Sequence, residues 1–102
     1  MPLLITKKEV FKWIKQGRKT IDIRKGKPVR GEIAVFLSGP CSLRLKIVGR
    51  ETGKLTDVVR MDNYKSVIPD AKNLGEAIAY LCGIYGDYAG VFTAYHVVPL
   101  ER

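Results

Sequence analysis

The chain has few of the residues from which metal sites and disulfide frameworks are built. Its 102 residues include one histidine and two cysteines, Cys41 and Cys82, which have no C-x-x-C spacing. One histidine and two separated cysteines do not make a zinc ligand set, so we predict no metal site, and nothing in the sequence calls for another cofactor. We interpret both cysteines as buried free thiols in a reducing cytoplasm, while a disulfide between them stays open.

Long apolar runs and a leader sequence are also missing. No hydrophobic stretch approaches the roughly 20 residues of a transmembrane helix. The first residues, MPLLITKKEV, lack the charged region, apolar region and cleavage site of a secretory signal. We therefore predict a cytoplasmic protein without membrane contact. The sequence does not indicate an oligomeric state. The low number of amides, two Asn and one Gln beside 27% charged residues, favours a thermophilic source.

Positive charge is abundant, and it is unevenly divided along the chain. The net charge is +8, and residues 1–50 carry thirteen Lys or Arg against three acids, whereas residues 51–102 carry five against seven. A basic half of this kind suits a polyanion such as nucleic acid. The alternative is charge that only keeps a small domain soluble.

Length and patterning predict one α+β domain over residues 1–102. At 46% hydrophobic, the chain has enough apolar side chains for a core. Thr6 and Glu9 are spaced as a capping box, with Ile5 and Val10 at the hydrophobic-staple positions, and they predict a first helix that ends at Gly17. The other predicted elements are strands over 20–24, 32–37, 43–48 and 91–98, a second helix begun by Asn73 and Glu76 and ended by Gly86, and a segment over 55–61 left open between strand and short helix. This irregular order favours a mixed sheet or small barrel.

The segment GRKTIDIR, residues 17–24, places a row of polar side chains on the first strand. Alternation with period two puts Ile21 and Ile23 on a buried face and Thr20, Asp22 and Arg24 on the other. Two interpretations are open. The row is either an ordinary solvated sheet face, with the acid and the guanidinium paired, or the floor of a polar site.

The same segment resembles the signature of the ASCH domain, in which a helix precedes G-x-K-T-φ-[E/D]-x-R and a Gly-acid pair opens the next strand. The matching residues are Gly17, Lys19, Thr20, Asp22, Arg24 and Gly31-Glu32, and similar later features are Tyr64, Pro69, Asp70, Ile84-Tyr85 and the closing aromatic strand. The chain is thus similar to a stand-alone ASCH protein over nearly its whole length. The resemblance implies a PUA-like mixed β-barrel with two main flanking helices, a cleft beside the first strand and helix, and binding of RNA or a nucleotide in RNA metabolism or translation.

Some ASCH members are enzymes: one branch is a ribonuclease, and another, similar around the motif, hydrolyses N4-acetylcytidine with a lysine, a threonine and a glutamate. Through this resemblance the lysine corresponds to Lys19 and the glutamate, by a loose alignment, to Asp70, but the nucleophilic threonine falls at Asp22. A carboxylate replaces an activated hydroxyl poorly at an amide carbonyl. The departure favours binding over this chemistry; for an enzyme, the predicted catalytic residues are Lys19, Asp22 and Asp70.

On the binding hypothesis, cations of the first helix and of the loop after the first strand meet phosphates, and a base enters a polar pocket. Arginine grips phosphate with two donors, an aspartate accepts from a base amino group, and Tyr64, Tyr88 or Tyr95 stacks on a base. The predicted nucleic-acid-binding residues are Lys8, Lys12, Lys15, Arg18, Lys19, Thr20, Asp22, Arg24, Lys25, Lys27, Arg30 and Tyr64. The alternatives are a small hydrolase acting on an acylated nucleoside or RNA, and an interaction domain with an unused pocket.

Overall fold

A computed structural model describes residues 3–86 and 89–100 and has the predicted mixed α+β character. The elements, in chain order, are β1 (Leu3–Ile5), α1 (Lys8–Lys15), β2 (Ile21–Lys25), β3 (Ile33–Ser38), β4 (Cys41–Gly53), α2 (Leu55–Val58), α3 (Tyr64–Val67), α4 (Leu74–Tyr85) and β5 (Phe92–Pro99). The helices α1 and α4 are the two long ones, and the segment left open over 55–61 contains the single turn α2. No helix of the described residues is long and apolar enough to span a bilayer.

The five strands form one curled sheet in the order β1-β3-β4-β5-β2. Only β1 and β3 are parallel; the other neighbours are antiparallel. The predicted third strand is longer than expected at both ends, because β4 pairs with β3 at its start and with β5 through Gly53, with a bulge between Ile47 and Gly49. Consequently β1 and β2 are the two edges of the sheet.

The first helix ends where it was predicted to end but has a different start. Val10, Trp13 and Ile14 are buried, and Gly17, with a φ of 77°, follows the helix end. The predicted capping box is wrong, because Thr6 directly follows the unpredicted strand β1, and its N–H donates to the carbonyl of Leu37 and its hydroxyl to that of Leu4. The helix begins after Lys7 instead.

The hydrophobic staple is absent as well, since Ile5 is 81% exposed. The second helix begins as predicted: the Asn73 side chain accepts the N–H of Glu76 at 2.9 Å, and Gly86 follows the last turn with a φ of 86°. Both features are local in sequence, whereas the start of α1 is decided by a strand partner more than thirty residues away.

Candidate functional site

The candidate site is a cleft between the two edge strands of the curled sheet. We call the gap between the edge strands β1 and β2 the seam, and Arg24, on β2, reaches across it. Its Nη1 donates to the carbonyl of Ile5 at 2.8 Å, and its Nη2 lies 3.4 Å from the hydroxyl of Thr6. The two strands have no ladder with each other. The side chain of Arg24 therefore joins edges that the backbone leaves separate.

Two more side chains complete the free edge of β2. The carbonyl of Ile21 accepts a hydrogen bond from the Nζ of Lys19 at 2.7 Å, and the carbonyl of Ile23 accepts one from the hydroxyl of Tyr85. Carbonyls two residues apart point to the same edge of a strand. Side-chain donors thus take the place of a sixth strand, as buried backbone carbonyls require.

Lys19 is the most unusual residue of the cleft, because it is buried to 4% exposure. Its Nζ also donates to the carbonyl of Val67 at 2.6 Å. Burial lowers the pKa of Lys19 to about 8, while the charge of Asp22 raises it and that of Arg24 lowers it. With two of its N–H groups bound to carbonyls, the amine keeps one tetrahedral position that carries either a proton or a lone pair. The lowered pKa makes the neutral form more accessible than it is for an exposed lysine.

Asp22 and Arg24 form a buried ion pair at the floor of the cleft. Arg24 donates through Nε to one carboxylate oxygen at 2.6 Å and through Nη2 to the other at 3.3 Å, and Asp22 is only 3% exposed. Burial opposes the charge on Arg24, but the attraction and hydrogen bond of Asp22 prevail and raise its pKa. The predicted pairing is confirmed, but the face is not solvated at Asp22, where other side chains close over it, whereas Thr20 is exposed.

The cleft is narrow, with a volume of about 70 Å³. Small-molecule pockets hold roughly 300–1,000 Å³, and one water takes up about 30 Å³. Only the edge of a ligand fits, and the rest lies at the mouth, where Ile5 and Ile84 are exposed. The lining residues are Ile5, Thr6, Lys7, Val10, Lys19, Asp22, Ile23, Arg24, Ile68, Tyr80, Ile84 and Tyr85.

Several predicted site residues lie elsewhere. Thr20 is exposed and outside the lining of the cleft. Tyr64 is half-buried against the core. Tyr95 is 1% exposed, and its hydroxyl accepts the N–H of Val29, so the stacking role predicted for it is wrong. Tyr88 lies outside the described residues.

Asp70 is separate from Lys19 and Asp22. It is exposed and forms an ion pair of 2.6 Å with Arg18, which lowers the pKa of its carboxyl group. Asp70 lines a neighbouring groove of about 470 Å³, which borders the cleft at Ile68 and Tyr80. The three residues predicted to be catalytic therefore do not line one cavity.

The predicted basic surface is divided between two ends of the sheet. Lys8, Lys12 and Lys15 lie on α1 beside the β3–β4 hairpin, which follows the end of β3. Lys25 is exposed at the end of β2, and Lys27 and Arg30 are exposed on the segment that leads from there into the start of β3. Six residues of strand separate these ends by about 17 Å. The cations thus form two patches. The first faces a groove of its own, and Arg30 of the second lines another groove, of about 570 Å³.

Thr6, Lys7, Tyr80 and Tyr85 line the cleft but were not predicted to do so. Among these four, Tyr85 could have been found from the sequence, because it belongs to the Ile84-Tyr85 pair that resembles the ASCH family at the end of the second predicted helix. In the described part of the chain, no three His, Cys, Asp or Glu side chains come together as metal ligands. Both cysteines are free thiols, but Cys41 is exposed, so its predicted burial is wrong.

Comparison with known proteins identifies the fold alone. No family model and no curated protein matches the chain. Three chains of solved structures match, among them a hypothetical protein, PH0355, with a TM-score of 0.78 and 17% sequence identity over 98% of this chain and 100% of that chain. At this identity the similarity shows a shared fold and carries no activity across.

Proposed function

We propose that this chain is an RNA- or nucleotide-binding protein of the ASCH type, with a PUA-like fold. The observation that carries the proposal is the meeting of Lys19, Asp22 and Arg24 in one cleft. These are three of the residues through which the sequence resembles the ASCH signature. The five-stranded curled sheet with two long helices is compatible with the barrel that this resemblance implies.

The shape of the cleft determines how a nucleotide binds. One edge of a base or sugar enters, where the free position of Lys19 donates or accepts and the guanidinium of Arg24, a quarter exposed, contacts an anionic or carbonyl oxygen. The face of the base lies against Ile5 and Ile84 at the mouth. Phosphates remain outside, near Lys7 and the cations of α1.

Hydrolysis of an acylated nucleoside is the second candidate, and the state of Lys19 favours it. A buried amine with a pKa of about 8 suits a general base. Both oxygens of Asp22 are held by Arg24, so the nucleophile in this scheme is water. Lys19 takes a proton from water as its oxygen bonds to the acyl carbon, and returns it to the leaving nitrogen as the C–N bond breaks.

Salt-dependent binding separates these candidates. Fluorescence anisotropy measures the affinity for a labelled short oligouridylate between about 50 and 200 mM salt. The affinities of the wild type and of Lys19→Met are compared, because methionine has a side chain of similar length without the charge. The matched control is Lys46→Met, an exposed lysine on β4. N4-acetylcytidine consumption is followed in parallel. We expect the Lys19 variant, shown by circular dichroism to be folded, to bind about tenfold more weakly, a loss of roughly 1.4 kcal/mol.

Three other outcomes would overturn the proposal or a part of it. Consumption of N4-acetylcytidine that stops in Lys19→Met identifies the hydrolase and overturns binding as the main role. Equal affinity of the wild type and the Lys19 variant removes the cleft from the binding site. If the wild type neither binds nor turns over any of these ligands, the interaction-domain hypothesis replaces both candidates.

A further inference from the structure

A second groove, outside the cleft, lies between α1 and the β3–β4 hairpin. It has a volume of about 870 Å³, and its lining includes the three lysines of α1, Phe11 and the turn Ser38–Cys41. We propose that this α1–hairpin groove binds about three nucleotides of single-stranded nucleic acid, with the lysines on its phosphates and one base against Phe11. The inference rests on the proposed function. It adds the path of the nucleic acid across the protein surface and the requirement that this nucleic acid is single-stranded.

The charges of the groove lack a counterpart in the protein. Within the described residues, Lys8, Lys12 and Lys15 have no ion pair and no hydrogen bond from their ammonium groups. The one carboxylate in the lining, Glu9, already accepts a hydrogen bond from Tyr80. Like charges at i and i+4 destabilise a helix, and Lys8 also stands in the first turn, where the helix dipole disfavours a cation. A polyanion relieves both costs.

The dimensions fit a single strand. From Lys8 to Lys15 the helix rises about 10 Å, which corresponds to roughly three nucleotides of a strand that keeps the axial rise of about 3.4 Å it has in a duplex, and to fewer in a more extended strand. Phe11 lies between these lysines along the helix and is half-buried, with its exposed part in the groove. A basic groove with an aromatic side chain is the usual site for unpaired nucleotides, because every base has a face that stacks. A duplex, in contrast, offers no free base to Phe11.

The groove and the cleft come near each other at the first turn of α1. Lys7 lines the cleft and Lys8, the next residue, lines the groove, although the two cavities share no lining residue. A strand with one nucleotide in the cleft passes this turn and continues along the lysines. The patch of Lys27 and Arg30, at the other end of β3, lies off this path.

Cys41 provides a native reporter of occupancy, since its thiol is exposed and lines the groove. In a Cys82→Ser background, the rate of Cys41 alkylation by neutral iodoacetamide is measured with and without saturating oligouridylate. We expect the oligonucleotide to slow alkylation several-fold and a mononucleotide to leave it unchanged. A duplex of equal length protects less.

Charge variants complete the test. Lys8→Gln/Lys12→Gln/Lys15→Gln is compared with Lys46→Gln/Lys65→Gln/Lys72→Gln, which removes the same charge from exposed lysines outside the groove. Loss of three phosphate contacts lowers the slope of log affinity against log salt by about 2, at roughly 0.7 per contact. The control triple keeps most of the slope. Phe11→Leu, which keeps the apolar packing, weakens binding about fivefold without changing the slope, within the range for one stacked base.

Failure of this inference is distinguishable from failure of the proposed function. If oligouridylate binds through Lys19 but leaves Cys41 alkylation and the salt slope of the α1 triple unchanged, the groove is excluded and the cleft remains. If no oligonucleotide binds the wild type, both are overturned. If polyglutamate protects Cys41 and oligouridylate does not, the groove binds an acidic protein and the nucleic-acid assignment is wrong.

Discussion

Arg24 binds both carboxylate oxygens of Asp22, two residues earlier on the same strand, with a shortest contact of 2.6 Å. Because Asp22 is 3% exposed, removal of Arg24 leaves a buried charge without its partner. We expect Arg24→Gln to lower the free energy of unfolding by about 2–3 kcal/mol, somewhat less than for fully buried pairs because Arg24 is partly exposed. Urea unfolding at neutral pH measures this loss.

The double variant Asp22→Asn/Arg24→Gln is the control for this pair. Two neutral amides leave no buried charge, so the double variant recovers more than half of the stability lost in Arg24→Gln. Additive losses would show that the pair does not act as a unit.

Lys19 makes stability depend on pH in the alkaline range. Its pKa is lowered from 10.5 to about 8 in the folded chain, so between these values the unfolded chain binds more protons than the folded one. Stability therefore rises with pH across this window, by about 1.4 kcal/mol per pH unit at most. Lys19→Met lacks this titration. The stability advantage of the wild type over the variant grows between about pH 8 and pH 10, as urea midpoints show; a constant difference would contradict the lowered pKa.

Tyr85 stabilises the free edge of β2 through its hydroxyl. Tyr85→Phe removes the donor to the carbonyl of Ile23 and is expected to lower the free energy of unfolding by about 1 kcal/mol. Tyr64→Phe is the matched control, because the hydroxyl of Tyr64 has no hydrogen-bond partner among residues 3–86 and 89–100. Thermal unfolding of both variants is compared, and equal losses would show that the Tyr85 hydroxyl contributes nothing specific.

The cap of α4 supports the wall of the cleft that contains Tyr80, Ile84 and Tyr85. Asn73→Ala removes the acceptor for the N–H of Glu76 and costs about 1 kcal/mol of stability. Asn73→Asp keeps an acceptor and stays within a few tenths of a kcal/mol of the wild type. An alanine variant as stable as the wild type would mean that water serves the helix end equally well.

Local signals predicted the structure well, and long-range pairing decided the rest. The cap of Asn73 and the stops at Gly17 and Gly86 depend on residues within one turn, and all three were predicted from sequence. Thr6 has an equally good capping spacing to Glu9. However, β1 pairs with β3, and the Thr6 hydroxyl donates to the carbonyl of Leu4 in β1 instead of capping the helix.

The same distinction applies to the cleft. The alternation of Ile21 and Ile23 was predictable, because period two is a property of the strand itself. The burial of Lys19 and Asp22 was not, because it arises from carbonyls and side chains that α3 and α4 bring from far along the chain. Only the resemblance to the ASCH signature indicated Lys19 and Asp22 as members of one set. That resemblance does not predict how the two side chains are arranged between β1 and β2.

The position of β2 in the sheet has a consequence for biosynthesis. Among the described strands its one neighbour is β5, so Ile21 has no strand partner until His96 has been synthesised. Pairing of such distant segments is slow, because a long loop must close first. A nascent chain without β5 therefore has no cleft, and a ligand of the cleft recognises only the finished fold. On the proposed function, the binding free energy of such a ligand adds to the native state alone and opposes its unfolding.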